Sequence, residues 1–198
     1  TVQVQSNTAY PSVTATAPTI LNCTTTTVQA IATTTTTPVT YTWTGPGITG
    51  GANTATASVN APGTYNYSVT AAGGCVTSGT LAVSQNTSVV SASTTASSSL
   101  NCTTTTAQII ATTTASPVSY VWTGTGITSG AGTATINVNQ GGTFNYTITN
   151  TSNGCRTTGS QAVSQNTALP SPTATSPNSI TCSTNTVTLN GGPAALTY

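Results

Sequence analysis

The sequence predicts an all-β protein made of tandem two-sheet sandwich domains of about 80 residues each. Apolar residues alternate with polar ones in short segments interrupted by Gly and Pro, which is the pattern of half-buried strands. No segment shows helical periodicity, and the long Thr runs are poor helix formers. The heptapeptide Leu-Asn-Cys-Thr-Thr-Thr-Thr occurs at residues 21–27 and again at residues 100–106, so the fold is expected to repeat along the chain.

The frame of the repeat predicts the domain organisation. Residues 41–45, 63–67 and 83–87 return at 120–124, 142–146 and 163–167. The offset is 79 up to the aromatic strand and 80 after it, so one residue is inserted near residues 150–153. The predicted segments are 1–8, the tail of a preceding repeat; 9–87, the first complete repeat; 88–167, the second; and 168–198, the N-terminal part of a truncated third repeat. We therefore expect this chain to be a fragment of a longer array of such repeats.

Each complete repeat is expected to contain several alternating segments on which the sandwich is built. In the first repeat they are Val28, Ala30 and Ala32; Val39, Tyr41 and Trp43; Ala55, Ala57 and Val59; Tyr65, Tyr67 and Val69; and a fifth that begins with Leu81 and Val83. The second repeat has Ala107, Ile109 and Ala111; Val118, Tyr120 and Trp122; Ala134, Ile136 and Val138; and Phe144, Tyr146 and Ile148. Val187 and Leu189 hold the first of these places in the third copy. Six or seven short strands in about 80 residues are typical of a two-sheet sandwich.

Aromatic residues are the natural anchors of a core between two sheets, because large rings bury the most apolar surface. The predicted anchors are Tyr41, Trp43 and Tyr65 in the first repeat and Tyr120, Trp122 and Phe144 in the second. The alternative is a sugar-binding platform, which would require rings that face outward.

The composition excludes most catalytic and ionic sites. The chain has no Asp, Glu, Lys, His or Met, and Arg156 is its one charged side chain. General acid–base catalysis needs a group that titrates near the working pH, and a Ser or Cys nucleophile needs a base beside it. Calcium and magnesium sites need carboxylates, zinc sites need Cys or His clusters, and nucleic-acid binding needs many Lys and Arg residues. We expect no enzyme activity, no cofactor, no metal and no nucleic-acid partner. No run approaches the roughly 20 apolar residues of a membrane helix.

Four motifs recur at matching places in both repeats. They are a Cys (Cys23 and Cys102), Tyr-x-Trp (41–43 and 120–122), Gly-Thr-Tyr/Phe (63–65 and 142–144) and Gly-Cys (74–75 and 154–155). Together they resemble the Ig-like and PKD-like tandem repeats of giant cell-surface adhesins of Bacteroidota, most of all gliding-motility adhesins of the SprB type. The resemblance implies an Ig-like fold, export by a type 9 secretion system and display as long filaments on the extracellular cell surface. The expected partners are neighbouring repeats of the same long chain, with self-association or the secretion machinery, and surface glycans.

The five cysteines allow two disulfide patterns with the period of the repeat. Within a repeat, Cys23 would bond Cys75 and Cys102 would bond Cys155, which leaves Cys182 for a partner outside the fragment. Between repeats, Cys75 would bond Cys102 and Cys155 would bond Cys182. Spacing does not choose between them, and free buried thiols are a third alternative. We expect the intra-repeat pattern, because small exported domains commonly cross-link their own core. Against it, the Ig strand order places the two cysteines of a repeat at opposite ends.

Sugar attachment is a further expectation. Six Asn-x-Ser/Thr sequons are present, at Asn22, Asn66, Asn86, Asn101, Asn145 and Asn150. Asn22 and Asn101 are poor acceptors because their middle residue is a Cys, so the possible sites are Asn66, Asn86, Asn145 and Asn150. The Ser- and Thr-rich linker at 91–99 is a candidate for O-linked sugar or for bare, extended chain.

The function that these observations favour is a non-enzymatic structural repeat of an extracellular filament or adhesin stalk. A surface without charge does not repel its neighbours, which suits an assembly or a sugar-coated array. The first alternative is a glycan- or cell-binding module that uses exposed Tyr and Asn side chains or the Gly-rich loop 45–53. The second is ice binding by Thr-x-Thr pairs at 54–56 and 133–135, although a twisted sheet offers little of the flat lattice required.

Overall fold

Every regular element of the computed structural model is a β-strand within the residues that it describes, which are 9–17, 19–169, 173–176 and 178–192. The first nine strands are β1 (Val13–Thr16), β2 (Leu21–Asn22), β3 (Val28–Thr34), β4 (Val39–Thr44), β5 (Ile48–Gly50), β6 (Thr56–Val59), β7 (Gly63–Ala71), β8 (Val76–Val83) and β9 (Gln85–Asn86). The next nine repeat them: β10 (Ala92–Ala96), β11 (Leu100–Asn101), β12 (Ala107–Thr113), β13 (Val118–Thr123), β14 (Ile127–Ser129), β15 (Thr135–Val138), β16 (Gly142–Asn150), β17 (Arg156–Val163) and β18 (Gln165–Asn166). The last two are β19 (Thr173–Thr175) and β20 (Asn190–Gly192).

The strands form two sandwiches of the same topology. In the first, a four-stranded sheet of order β1-β3-β6-β5 faces a three-stranded sheet of order β4-β7-β8, and the short β2 pairs with β9 in parallel. The second has β10-β12-β15-β14, β13-β16-β17 and the parallel pair β11-β18. This division into four and three strands is that of the constant-type immunoglobulin sandwich. The predicted all-β, Ig-like fold is therefore confirmed.

The core lies between the two sheets of each sandwich, on the faces that the alternation predicts. The structure buries Val28, Ala30 and Ala32 on β3, and their counterparts on β12. Trp43 and Trp122 are 2% and 3% exposed, and each indole N–H donates a hydrogen bond of 3.0 Å to the carbonyl of the same loop position, Thr54 or Thr133. A buried indole N–H without such a partner would be destabilising.

The other predicted anchors divide into buried and half-buried rings. Tyr65 and Phe144 are completely buried, whereas Tyr41 and Tyr120 are half-buried and pack against the edge of their clusters. The Tyr65 hydroxyl donates to the Ala61 carbonyl four residues upstream at 2.6 Å, and also contacts the Pro46 carbonyl. This is the tyrosine corner of Ig domains.

Two strand predictions were wrong in their details. Leu81 and Val83 finish a strand rather than begin one, because β8 starts at Val76 and pairs with β7 along its whole length. Residues 76–80 lack apolar alternation, so sequence periodicity could not detect the start of that strand. In the third copy the strand is Asn190–Gly192, and Leu189 before it is exposed.

The register defines two ends in each sandwich. At the entry end β1 begins beside the β7–β8 turn, where the Thr77 hydroxyl donates a 2.7 Å hydrogen bond to the Pro11 carbonyl. At the exit end β8 finishes and β2 pairs with β9, with Leu21 opposite Gln85. β8 has eight residues, so the two ends are about 24 Å apart at roughly 3.4 Å per residue.

Candidate inter-repeat interface

A rigid turn presents Cys23 at the exit end of the first sandwich. The Asn22 side-chain oxygen accepts hydrogen bonds from the Thr24 N–H at 2.9 Å, the Thr25 N–H at 2.6 Å and the Thr24 hydroxyl at 2.9 Å. The Asn22 N–H in turn donates to the Thr25 carbonyl at 2.9 Å. Such an Asx turn fixes the backbone locally, so Cys23 is held in place before any partner is considered.

The turn between β16 and β17 presents Cys155 at the entry end of the second sandwich. It is closed by the Gly154 N–H, which donates to the Asn150 carbonyl at 2.8 Å, and by the Asn150 N–H, which donates to the Cys155 carbonyl at 2.9 Å. Gly154 has φ +71°, a left-handed conformation that favours glycine. The sequence needs glycine before this Cys for that reason.

These two turns meet, and we call their contact the seam between the repeats. Cys23 forms a disulfide with Cys155 across it. The two Cα atoms are 5.0 Å apart and the cysteines are 132 residues apart in the chain. That Cα separation is normal for a disulfide. The Cys23 N–H also donates to the Asn153 carbonyl at 3.1 Å. The cross-link therefore joins the exit end of one sandwich to the entry end of the next.

This bond replaces the expected intra-repeat pairing, and it differs from the between-repeat alternative as well. A disulfide needs Cα atoms within about 7 Å, but Cys23 and Cys75 lie at opposite ends of one sandwich, about 24 Å apart along the strands. Cys75 and Cys102 lie at the outer ends of the two sandwiches, farther apart still. The structure leaves Cys75 half-exposed and Cys102 and Cys182 exposed, without disulfide partners among the described residues.

Asn153 is the residue of this interface that sequence reasoning missed. It is 1% exposed, the one buried polar side chain among the described residues. Its amide nitrogen donates to the Asn86 side-chain oxygen at 3.0 Å and to the Ser88 carbonyl at 2.9 Å, both at the exit end of the first sandwich. Its amide oxygen accepts from the Cys155 N–H at 3.0 Å. Asn153 lies in the one-residue insertion that breaks the offset of 79, and that irregularity was the available signal.

Close packing accompanies the hydrogen bonds. A Cβ atom added at Gly154 would overlap the Thr24 side chain. At the equivalent Gly74 of the first repeat, where φ is +82°, an added Cβ would meet no described residue within 4 Å. Thr24 therefore takes a place beside Gly154 that no described residue takes beside Gly74.

The seam contains no ionic interaction. Arg156 follows Cys155 directly but is exposed, and the described residues hold no group of three or more His, Cys, Asp or Glu suited to a metal ion. Hydrogen bonds, packing and one covalent bond hold the seam, so salt is not expected to weaken it.

The remaining predicted positions lie away from the seam or serve other roles. Asn66 and Asn145 are exposed on their strands, while Asn86 and Asn150 are half-buried and use their side-chain oxygens as hydrogen-bond acceptors. The Thr54 and Thr133 hydroxyls donate to carbonyls of their own turns. Those two hydroxyls are therefore hydrogen-bonded within the fold and are not arranged as the flat Thr lattice that ice binding would require.

Comparisons with known proteins return structural likenesses only. No family model matches the chain, and no curated protein matches it. A complex of the C-terminal 282-residue fragment of intimin with the intimin-binding domain of the translocated intimin receptor aligns at 11% identity over 85% of this chain and 67% of that chain, with a TM-score of 0.42. Murine CEACAM1b aligns at 10% identity over 78% and 100%, with a TM-score of 0.39. The Ig-like assignment rests on the strand order above.

Within the described part of the chain, no helix has the length and apolarity to cross a membrane.

Proposed function

We propose that this chain is a non-enzymatic structural segment of an extracellular surface filament or adhesin stalk, in which Ig-like repeats are cross-linked end to end. The observation that carries the proposal is the Cys23–Cys155 disulfide across the seam. Single domains are commonly stabilised by disulfides of their own, whereas this bond fixes one domain on the next. A bond between neighbouring domains therefore fixes their relative orientation along an array.

The position of the disulfide gives it a mechanical role. The chain enters each sandwich at one end and leaves at the other, so tension applied to the ends of the chain runs along the row of domains. The covalent bond connects residue 23 with residue 155 directly, and the segment 24–154 lies inside the closed loop. That segment is shielded from extension even when its strands unfold.

The same bond opposes unfolding at equilibrium. Closing a loop of 132 residues restricts the unfolded chain by about 5 kcal/mol on the chain-entropy model. Such a bond persists in the oxidising environment outside the cell.

The finer assignment comes from sequence motifs. The repeat motifs resemble those of gliding-motility adhesins, and on that basis we assign the chain to a cell-surface protein exported by a type 9 secretion system. Neighbouring repeats of the same long chain are its primary partners. The near-absence of charge supports lateral self-association as well, because no like charges keep neighbouring filaments apart.

Electron microscopy of the purified chain tests the proposal. We expect straight rods in which the two sandwiches lie end to end with a narrow distribution of angles. The matched control is the Cys23→Ser/Cys155→Ser variant, in which the angle should broaden while each domain stays folded. Compact particles without a defined long axis, or an equal angular spread in the two proteins, would contradict a cross-linked stalk.

A further inference from the structure

Cys75 and Cys102 occupy the same places in their repeats as the two cysteines of the seam. Cys75 precedes Cys155 by 80 residues, and Cys102 follows Cys23 by 79. We propose that these two free thiols are the unpaired halves of the same cross-link, each made with a further copy of this repeat: Cys102 with the second Cys of the following copy and Cys75 with the first Cys of the preceding copy. This inference rests on the proposed function, because it requires adjoining copies.

The exit end of the second repeat is already shaped for the bond. The Asn101 side-chain oxygen accepts from the Thr103 N–H, the Thr103 hydroxyl and the Thr104 N–H at 2.9, 2.8 and 2.7 Å. These bonds reproduce the turn that holds Cys23, although Cys102 has no disulfide partner among the described residues. Nearby, the Asn166 side-chain oxygen accepts from the Ala168 N–H at 3.2 Å, as that of Asn86 does from Ser88 at 3.3 Å. The exit end is therefore preorganised rather than shaped by docking.

The entry end of the first repeat offers the complementary half. The Gly74 N–H donates to the Ala71 carbonyl and the Ala71 N–H donates to the Cys75 carbonyl, each at 2.9 Å, as in the turn that holds Cys155. Cys155 is completely buried, whereas Cys75 is half-exposed. No described residue takes the place beside Gly74 that Thr24 takes beside Gly154. A preceding copy would cover both features.

One difference distinguishes the two entry ends. The first repeat has Gly73 where the second has Asn153, and its turn is one residue shorter. A seam formed at Cys75 would thus have the disulfide and the glycine contact, but it would lack the amide hydrogen bonds that Asn153 makes. A seam formed at Cys75 would thus be weaker than the one that contains Asn153.

The cross-link is a two-electron oxidation. Two Sγ–H groups lose two protons and two electrons as the Sγ–Sγ bond forms. The oxidant is a disulfide-class compound. The thiolate of one cysteine attacks a sulfur of that compound, which releases one thiol and leaves a mixed disulfide; the thiolate of the second cysteine then attacks the cysteine sulfur of the mixed disulfide and releases the second thiol. Oxidised glutathione supplies this chemistry in the test below.

The proposed bonds overlap along the chain. The contact is heterologous, exit end to entry end, so it propagates in a line and does not close on itself. With Cys182 taking the role of Cys102 in the third copy, the shortest covalent path runs from Cys23 to Cys155, then through 27 residues to Cys182 and its own bond. Two repeats would thus contribute about 90 Å of extensible chain, and the filament would barely lengthen even if its domains unfolded.

A lengthened variant tests the inference. Residues 88–167 are duplicated in tandem after Thr167, the protein is oxidised with oxidised glutathione, and free thiols are alkylated and mapped by mass spectrometry. The parent chain should have three free thiols. The lengthened chain, despite its two added cysteines, should also have three, with Cys102 bonded to the duplicate of Cys155. Adding Cys102→Ser to it should free that duplicate cysteine.

Five free thiols, or Cys102 bonded to a cysteine of its own repeat, would overturn the inference. If the lengthened chain does not fold, the parent chain is oxidised at high concentration instead. Intermolecular Cys75–Cys102 peptides then support the inference, and their absence from the cross-linked products overturns it. Rods in electron microscopy together with five free thiols would support the proposed stalk but reject the further cross-links through Cys75 and Cys102.

Discussion

Reduction of the seam disulfide should release a defined length of chain under tension. With both termini held in a single-molecule force experiment, the oxidised protein cannot extend the segment inside the loop. The cysteines are 132 residues apart, and an extended chain spans about 3.3–3.6 Å per residue, so reductant should add about 450 Å of contour length in one step.

The size of that step distinguishes this pairing from the intra-repeat alternative. Bonds from Cys23 to Cys75 and from Cys102 to Cys155 would enclose 52 and 53 residues. Reduction would then add two steps of about 180 Å each. The measurement is best made with Cys75, Cys102 and Cys182 replaced by Ser, which removes the thiols that could exchange with the seam bond.

The control is the same chain with Cys23→Ser/Cys155→Ser, which should reach full length without reductant. Two short steps, or a reductant-insensitive length in the cross-linked protein, would refute the structural assignment of the disulfide.

Three further substitutions test the seam and the core. Gly154→Ala should lower the urea midpoint of unfolding more than Gly74→Ala does, because both positions share the same backbone strain but only Gly154 faces a neighbouring side chain. The difference between the two midpoints measures the contact with that side chain, and equal midpoints would contradict it. Asn153→Ala should reduce the stability of the seam by about 1–3 kcal/mol, because it leaves two acceptors without their donor. The measurement is the rate at which Cys155 is alkylated at a low concentration of reductant, which should rise. Burial raises the pKa of Tyr65 above its ordinary value of 10.0, so its contribution is complete below about pH 10 and is lost as the pH rises further. The first repeat, followed by Trp43 fluorescence in a chain with Trp122→Phe, should therefore lose stability in alkali, and Tyr65→Phe should abolish that loss; unchanged alkaline sensitivity would contradict the assignment.

The sandwich could be predicted because its determinants are local. Alternation on β3, β4, β6 and β7 marks buried faces within single strands, and the repeat confirms each pattern by a second copy. The start of β8 could not be predicted, because its first residues are held by pairing with β7 and by the Tyr67 ring over Gly79, not by their own apolar pattern. Long-range pairing of that kind leaves no periodic signal.

The seam could not be predicted because it depends on how two domains dock. The Ig strand order already implied that the two cysteines of one repeat lie at opposite ends, and this argument was stronger than the general tendency of small domains to cross-link themselves. What the sequence lacked was the direction of docking, which brings the exit end of the first sandwich to the turn that contains Asn153. The insertion at that turn was visible, but its meaning required the position of Asn86 in space.

The one inserted residue also explains how a neutral chain specifies its own geometry. Charged pairs usually set the register between domains, and this chain has none to use. Asn153 instead satisfies its donor and acceptor on both sides of the seam, and removing it from water without all three partners would be unfavourable. A tilted or rotated docking would break these hydrogen bonds. The buried amide therefore selects one orientation, and the disulfide then makes that orientation permanent.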